Sequence, residues 1–362
     1  MKRLTLGDVC KKESSNIAQK NLQDKKGAYP IYGASGLIKQ VDFYQQDKEY
    51  IAVVKDGAGI GRTMLLPAYS SVIGTMQYLL PKEGIPIDIK YLFYAVEHMN
   101  LAKYFSGATI PHIYFRDYQK EPINIPDIET QRKISQIFGK IDALITSRKE
   151  QRTKLDQIVK SRFIELFGDP VGNPKGWTMV PLGTRCEIIT GNTPSRAEAK
   201  NYGEFIEWIK SDNINTPYTF LTEAQEYLSE IGFQKCRFVE AGSLLMTCIA
   251  GSVNCIGNVA VADRRVAFNQ QINAIVPNED EVLYLYWLML LSKPAIHRAI
   301  NMALKGILSK RQLSEMMFPF PPVALQKQFV TFVEQTDKSK YRQEKCIRFF
   351  QCLEKNIRQE WL

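Results

Sequence analysis

Two stretches of the chain repeat apolar residues at intervals of three and four, and nothing else in it does so for as long. In the first, apolar positions fall at Ile134, Ile137, Phe138, Ile141, Leu144 and Ile145, then at Leu155, Ile158, Val159, Phe163, Leu166 and Phe167. This spacing predicts an amphipathic helix with a coiled-coil seam. The helix starts after Pro126 and stops at GDPVGNPKGW (168–177), a run of Gly, Pro and Asn that cannot continue it. The second stretch comes after Pro321 and Pro322. It places Phe329, Phe332, Val333, Ile347, Phe350, Leu353, Ile357 and Trp361 on one face. A helix of about 40 residues is about 60 Å long. Both stripes have polar middles: Arg148, Gln151 and Arg152 in one, and Thr336, Ser339, Lys340 and Gln343 in the other. Two such helices most simply pack as an antiparallel pair, with Arg148, Arg152 and Gln343 setting register or receiving another protein.

Offset by 195 residues, the two stretches superimpose. NIPDIETQRKI lies on PFPPVALQKQF, so that Pro126 meets Pro321 and Gln131 meets Gln326. The segments before the helices also match. Leu6-Gly7 pairs with Leu182-Gly183, YLFY (91–94) with YLYW (284–287), and Arg116-Asp117-Tyr118 with Arg311-Gln312-Leu313. The aromatics of YLFY and YLYW are closely spaced and read as core rather than as base-stacking platforms. The expected architecture is α+β: two similar α/β domains, two long antiparallel coiled-coil helices separating them, and a pseudo-twofold internal repeat. The linear division is 1–125, first domain; 126–167, first helix; 168–176, linker; 177–320, second domain; 321–362, second helix.

The most enzyme-like stretch is YIAVVKDGAGIGRTMLL (50–66). A dinucleotide loop needs a third glycine where Arg62 stands, and a P-loop needs Gly-Lys-Ser/Thr, which occurs nowhere in the chain. The continuation, TMLLPAY, is short and apolar with Pro67, so no helix N-terminus is available for phosphate. Strand, Gly-rich loop, strand predicts a hairpin. Its counterpart, LLMTCIAGSVNCIGNVAVA, keeps the pattern and Ile-Gly but loses the glycine spacing, as a hairpin tip can and a nucleotide site cannot.

Net charge is +9, which suggests a polyanionic partner. The excess is spread: +4 over 1–125, +3 over 126–167, −1 over 177–320 and +3 over 321–362. Any DNA is therefore bound by placed side chains and not by a cationic tail. The basic N-terminal stretch has no apolar core of a secretory signal, and no apolar run has the length of a membrane span. The seven cysteines include no C-x-x-C, so free thiols and a cytoplasmic location are expected.

The order of domain, long helix, Gly/Pro linker, second domain and second long helix resembles the specificity subunit of type I restriction–modification systems. The residues that carry the resemblance are the two helix starts ending at Gln131 and Gln326, YPIYGASG (29–36), GDPVGNPKGW with VPLG (180–183), ITGNTP (189–194) and ATIPHIYFRDY (108–118). The second copy has ALKGILSK (303–310) in place of ATIPHIYF, a departure from the pattern. The resemblance implies that each domain reads one half of a bipartite, asymmetric double-stranded DNA site. It implies that the helices act as spacer and dock two methyltransferase subunits, and that restriction subunits assemble around them. Methyl donor and ATP then belong to those partners, and this chain holds no cofactor, no metal and no catalytic residue. Two rival readings stay open: the specificity subunit of a fused type II restriction–methylation enzyme, and a coiled-coil scaffold without a DNA role.

The residues agree on the lack of catalysis. There is no Asn/Asp-Pro-Pro-Tyr/Phe clamp of an adenine methyltransferase. Glu198-Ala199-Lys200 fits a nuclease "ExK" but has no Pro-Asp before it. Base readout favours Arg or Lys on guanine and Asn or Gln on adenine. The candidates in the first domain are Lys39, Lys55, Arg62, Thr109, His112 and Arg116. In the second they are Lys210, Ser211, Asn213, Asn254, Asn258, Gln270, Gln271, Lys305, Lys310 and Arg311. Lys55 and Arg62 flank one hairpin tip, and Asn254 and Asn258 flank the other. The two sets differ at nearly every position, which predicts an asymmetric target.

Overall fold

The computed structural model describes residues 2–107, 111–300 and 306–362. Packing divides the chain into two units, Met1–Glu150 with Gln343–Leu362, and Gln151–Arg342. This grouping differs from a linear division, because each unit takes part of both long helices.

In the first unit a four-stranded antiparallel sheet runs in the order Cys10–Ser14, Met76–Pro81, Tyr50–Val54, Thr63–Leu66. Every residue of Tyr50–Val54 is buried, and strand periodicity sends alternate side chains to two different cores. Ile51 and Val53 pack with the helix Ile89–His98, while Tyr50, Ala52 and Val54 pack with Val72, Met76 and Tyr78. A second sheet has Tyr29–Gly33 between Gly36–Val41 (antiparallel) and Ser71–Val72 (parallel).

The second unit repeats this plan. Its four-stranded sheet is ordered Cys186–Thr190, Ile272–Pro277, Ser243–Thr247, Val259–Ala262. Its other sheet again joins two strands in parallel, Tyr202–Ile209 and Val266–Phe268, with Tyr227–Leu228 and Phe238–Val239 outside them. Leu244 and Met246 face the helix Val282–Ala299 and Leu245 faces the second core. As expected, YLFY and YLYW are core: Tyr91 and Tyr284 are fully buried and donate their hydroxyls to Asn124 O and Pro319 O.

The long helices run Ile128–Phe167 and Val323–Trp361. Their starts explain the repeated Pro and Gln. Gln131 Nε2 donates to Pro126 O at 2.9 Å and to Pro86 O at 3.1 Å, and Oε1 accepts from Asp88 N at 2.9 Å. Gln326 Nε2 donates to Pro321 O at 3.0 Å and to Asp280 Oδ1 at 2.7 Å, and Oε1 accepts from Glu281 N at 3.0 Å. Each fully buried glutamine thus clips its helix start to the residue that begins the shorter helix of the same unit.

Within both units the helices pack antiparallel. In the first, Ile141 and Ile145 meet Ile347, flanked by Phe350, and Arg148 Nη1 donates to Gln343 Oε1 at 3.1 Å. In the second, Phe163 meets Phe329 with ring centres 5.4 Å apart, and Lys340 pairs with Asp156 at 2.6 Å and Asp337 at 3.0 Å. The exclusive seam is shorter than its stripe suggests. Ile134 and Phe138 join the core of the first unit, and Val159, Phe163, Phe329 and Val333 that of the second. Leu155 and Phe332 are half-buried. Three expected seam residues face outward: Ile137 (44% exposed), Leu144 (40%) and Leu353 (37%). Seam positions 134, 138, 141 and 145 alternate steps of four and three, and a residue just before one of them points about 100° away. All seven cysteines are free thiols, and no helix of the described residues is long and apolar enough to cross a membrane.

Candidate nucleic-acid interface

The suspected phosphate loop is a hairpin tip, as its pattern predicts. Tyr50–Val54 pairs antiparallel with Thr63–Leu66, Val53 opposite Thr63. Gly57, Gly59 and Gly61 have φ of 88°, 118° and 78°, a region costly for other residues. A Cβ on Gly61 would also come within 2.3 Å of Ala102 N.

The end of this strand and its counterpart are built by the same backbone bonds. Gly61 N donates to Val54 O at 2.8 Å, and Gly257 N to Thr247 O at 2.9 Å. Val54 N reaches Arg62 O and Thr247 N reaches Asn258 O, both at 2.9 Å. Lys55 N and Asp56 N share Thr75 O, as Cys248 N and Ile249 N share Gln271 O. Ile113 N donates to Lys55 O and Leu308 N to Cys248 O, both at 3.0 Å. The isolated bridge Asp56–His112 matches Ile249–Ile307. ALKGILSK therefore supplies, through Ile307 and Leu308, the backbone role of His112 and Ile113, keeping a buried aliphatic residue at the second position and replacing the imidazole at the first.

On this frame the first unit carries charge. Asp56 holds two candidates together: Oδ1 lies 2.7 Å from His112 Nδ1 and Oδ2 2.9 Å from Lys55 Nζ. His112, Tyr114 and Arg116 stand at alternate positions. The His112 and Tyr114 rings stack with centres 6.3 Å apart, and the Arg116 guanidinium lies 4.8 Å from the Tyr114 ring centre. Lys55, Asp56, Tyr114 and Arg116 line a concavity of about 650 Å³ together with Lys11, Lys12 and Lys82. Lys82 donates to Gly7 O and Lys11 pairs with Glu13, while Lys12 is exposed. Arg62 is exposed at the tip, donating to Ala34 O at 2.8 Å. Lys39 is not brought to this group: its ammonium ties down the Leu22 and Gln23 carbonyls at 2.7 and 3.1 Å. Thr109 lies outside the described residues.

On the same frame the second unit carries amides. Ser211 Oγ and Asn269 Nδ2 both reach Gln271 Oε1, at 3.4 and 3.1 Å. Asn258 donates to Asn215 Oδ1 at 2.7 Å and accepts from Lys293 Nζ. Asn254 and Gln270 are exposed, Gln270 with its Oε1 on Thr193 Oγ1. Asn213 is buried, and its amide bonds to Lys210 N and Glu223 O close a tight turn, so it presents nothing outward. Lys210 pairs with Glu226, which also holds Arg196; these two partners hold the Glu226 carboxyl down to about 2. Lys310 and Arg311 are exposed at the start of a short helix in which Arg311 pairs with Glu315 at 2.8 Å. Lys305 lies outside the described residues. The ExK glutamate, Glu198, is ion-paired with Lys235 at 2.8 Å.

Sequence reasoning missed Asp56, Tyr114, Lys12, Asn215 and Lys293. Tyr114 had a signal, since it alternates with His112 and Arg116. Asp56 had none, because its partner His112 is 56 residues away.

One frame used twice, with different side chains at the same points, defines a protein of two equivalent modules. The chain belongs to the family of the Type I restriction modification DNA specificity domain, whose profile matches residues 1–157 and again 174–347. It is 25% identical over 254 residues to the type I restriction enzyme HindI specificity subunit of Haemophilus influenzae, covering 49% of this chain and 54% of that one. It is 22% identical over 266 residues to a putative type I restriction enzyme MjaX specificity subunit of Methanocaldococcus jannaschii, covering 67% and 59%. The chain thus matches little more than half the length of these relatives. In fold it is similar to the S subunit of a type I restriction–modification system from M. genitalium, with TM-score 0.62, 15% identity and coverage of 100% and 96%. A chain from a study of complex assembly and conformational transition in the type I system gives 0.54, 15%, 99% and 96%.

Proposed function

We propose that this chain is the non-catalytic specificity subunit of a type I restriction–modification complex. Each unit reads one half of a bipartite, asymmetric site in double-stranded DNA. The long helices serve as spacer and docking site for two methyltransferase subunits, and restriction subunits join that assembly. Methyl transfer and ATP use belong to the partners, and the complex works in the cytoplasm. The observation that carries this reading is the repeated strand end: five backbone bonds and a bridge recur, while Lys55, Asp56 and His112 are replaced by Cys248, Ile249 and Ile307. Divergence confined to side chains on a kept frame is what two readers of different sequences require.

Outward Ile137 and Leu144 on one helix, and Phe349 and Leu353 on the other, supply apolar surface for docking. The test is co-expression with a type I methyltransferase from the same genome, then modification-sensitive long-read sequencing of host DNA. A split, asymmetric motif methylated only in the presence of this chain is expected. No new methylation with a folded methyltransferase would favour a scaffold without a DNA role.

A further inference from the structure

We propose that Asp56 is the positioning residue of the first unit's reading surface, and that the surface it organises reads a G·C pair. The inference rests on the DNA-specificity reading and deepens it.

A carboxylate only accepts hydrogen bonds, so Asp56 Oδ1 at 2.7 Å holds a proton on His112 Nδ1 and fixes the ring's orientation. Nε2 is left over, and no other described residue engages it. Oδ2 holds the Lys55 ammonium at 2.9 Å. The backbone bridge from Asp56 to His112, and Gly57 N on Pro111 O at 2.9 Å, anchor the segment that carries the stack. From that anchor, Tyr114 keeps the Arg116 guanidinium 4.8 Å from its ring while Arg116 stays 75% exposed in its side chain. The surface therefore offers the donors of Arg116 and Lys55 beside the oriented His112 ring. In the major groove guanine shows two acceptors, O6 and N7, and its cytosine partner shows the N4 donor. An A·T pair sets its acceptors, adenine N7 and thymine O4, on either side of the adenine N6 donor, so two neighbouring acceptors on one base belong to guanine alone. The basic concavity with Lys11, Lys12 and Lys82 supplies phosphate attraction, which carries no sequence information. The second unit has Ile249 and Ile307 at the corresponding bridge, so the effect belongs to one half-site.

The test uses the co-expressed methyltransferase complex with wild-type chain, Asp56→Ala, His112→Ala and Lys12→Ala, reading the methylated motif of each. Asp56→Ala and His112→Ala are expected to relax one and the same position, a G·C pair in the wild-type motif. Discrimination there should fall about tenfold or more, the scale of one lost base contact. The other half-site should be unchanged. Lys12→Ala should keep the motif and only weaken binding as salt rises. A merely structural Asp56 lowers methylation at every site without altering the motif, and that result overturns the proposal. Relaxation at an A·T pair, or in both halves, overturns it too. If Asp56→Ala fails to assemble with the methyltransferase, His112→Ala decides by the same criteria. A wild-type chain that confers no motif overturns the DNA-specificity reading itself, and this inference with it.

Discussion

Glu226 sits between two cations, Arg196 and Lys210, and its depressed carboxyl gives a pH signature. A carboxyl lowered in the folded state contributes stability that is complete above its unfolded value of 4.5 and is lost as pH falls through about 2. Urea unfolding across pH 6 to 2 should show that loss below about pH 4.5, and Glu226→Gln should flatten it. An unchanged profile would mean the pairs add no net stability. The thiols divide sharply. Burial pushes Cys10, Cys186 and Cys248 up to about 12, whereas Cys352 is exposed. Brief alkylation of the native chain at neutral pH should label Cys352 and spare those three, with mass spectrometry as readout. At this scale the sequence was partly legible. Lys55, His112 and Arg116 come together around Asp56 and Tyr114, whereas Lys39 and Asn213 brace the fold. Residue type signals capacity for a contact; whether that capacity is spent inside the protein depends on neighbours far along the chain.

The clips at the helix starts are the clearest case of an element-level motif with a physical cause. Gln131→Ala takes the partner from the Pro126 and Pro86 carbonyls and the Asp88 N–H, and Gln326→Ala from the Pro321 carbonyl and the Glu281 N–H, while Asp280 keeps Arg185. Each should cost about 1–3 kcal/mol in chemical denaturation. Ile141→Asp puts an unpaired charge into the seam and should cost several kcal/mol and abolish co-purification with the methyltransferase. Phe350 is only half-buried, so Phe350→Asp should cost less. Normal complex formation by Ile141→Asp would count against the paired helices. Both helices and the Gly-rich hairpin were legible because local spacing sets them. The phase of the seam was not. Ile137 and Leu144 fit the apolar spacing as well as Phe138 and Ile145 do, yet the first two are exposed and the second two buried. Only packing selects which edge of a wide stripe is covered.

For the molecule as a whole, the two units differ where their frames agree, so the methylated motif should have unlike halves. Arg62→Ala, at the first unit's hairpin tip, should weaken or relax one half only. A palindromic motif would contradict the assignment of one reader to each unit. The repeat was readable from Gln131 and Gln326, from YLFY and YLYW, and from the glycines. The offset of 195 already set Ile307 and Leu308 against His112 and Ile113; that the two pairs make the same backbone bonds was not readable, because such bonds leave no trace in side-chain identity.

The sequence by itself determined the elements and their repetition: two long helices, two Gly-containing hairpins, two buried aromatic helix segments, and a net positive charge spread along the residues. These come from period, turn chemistry and composition, which are local. Only the tertiary structure decided which polar groups are spent on the fold and which remain for a partner. It made Asp56 a hub, closed Asn213 into a turn, turned Ile137 and Leu144 outward, and divided the helices between two units. Each of those outcomes depends on contacts between residues distant in the chain, and the energy of such a contact belongs to the pair.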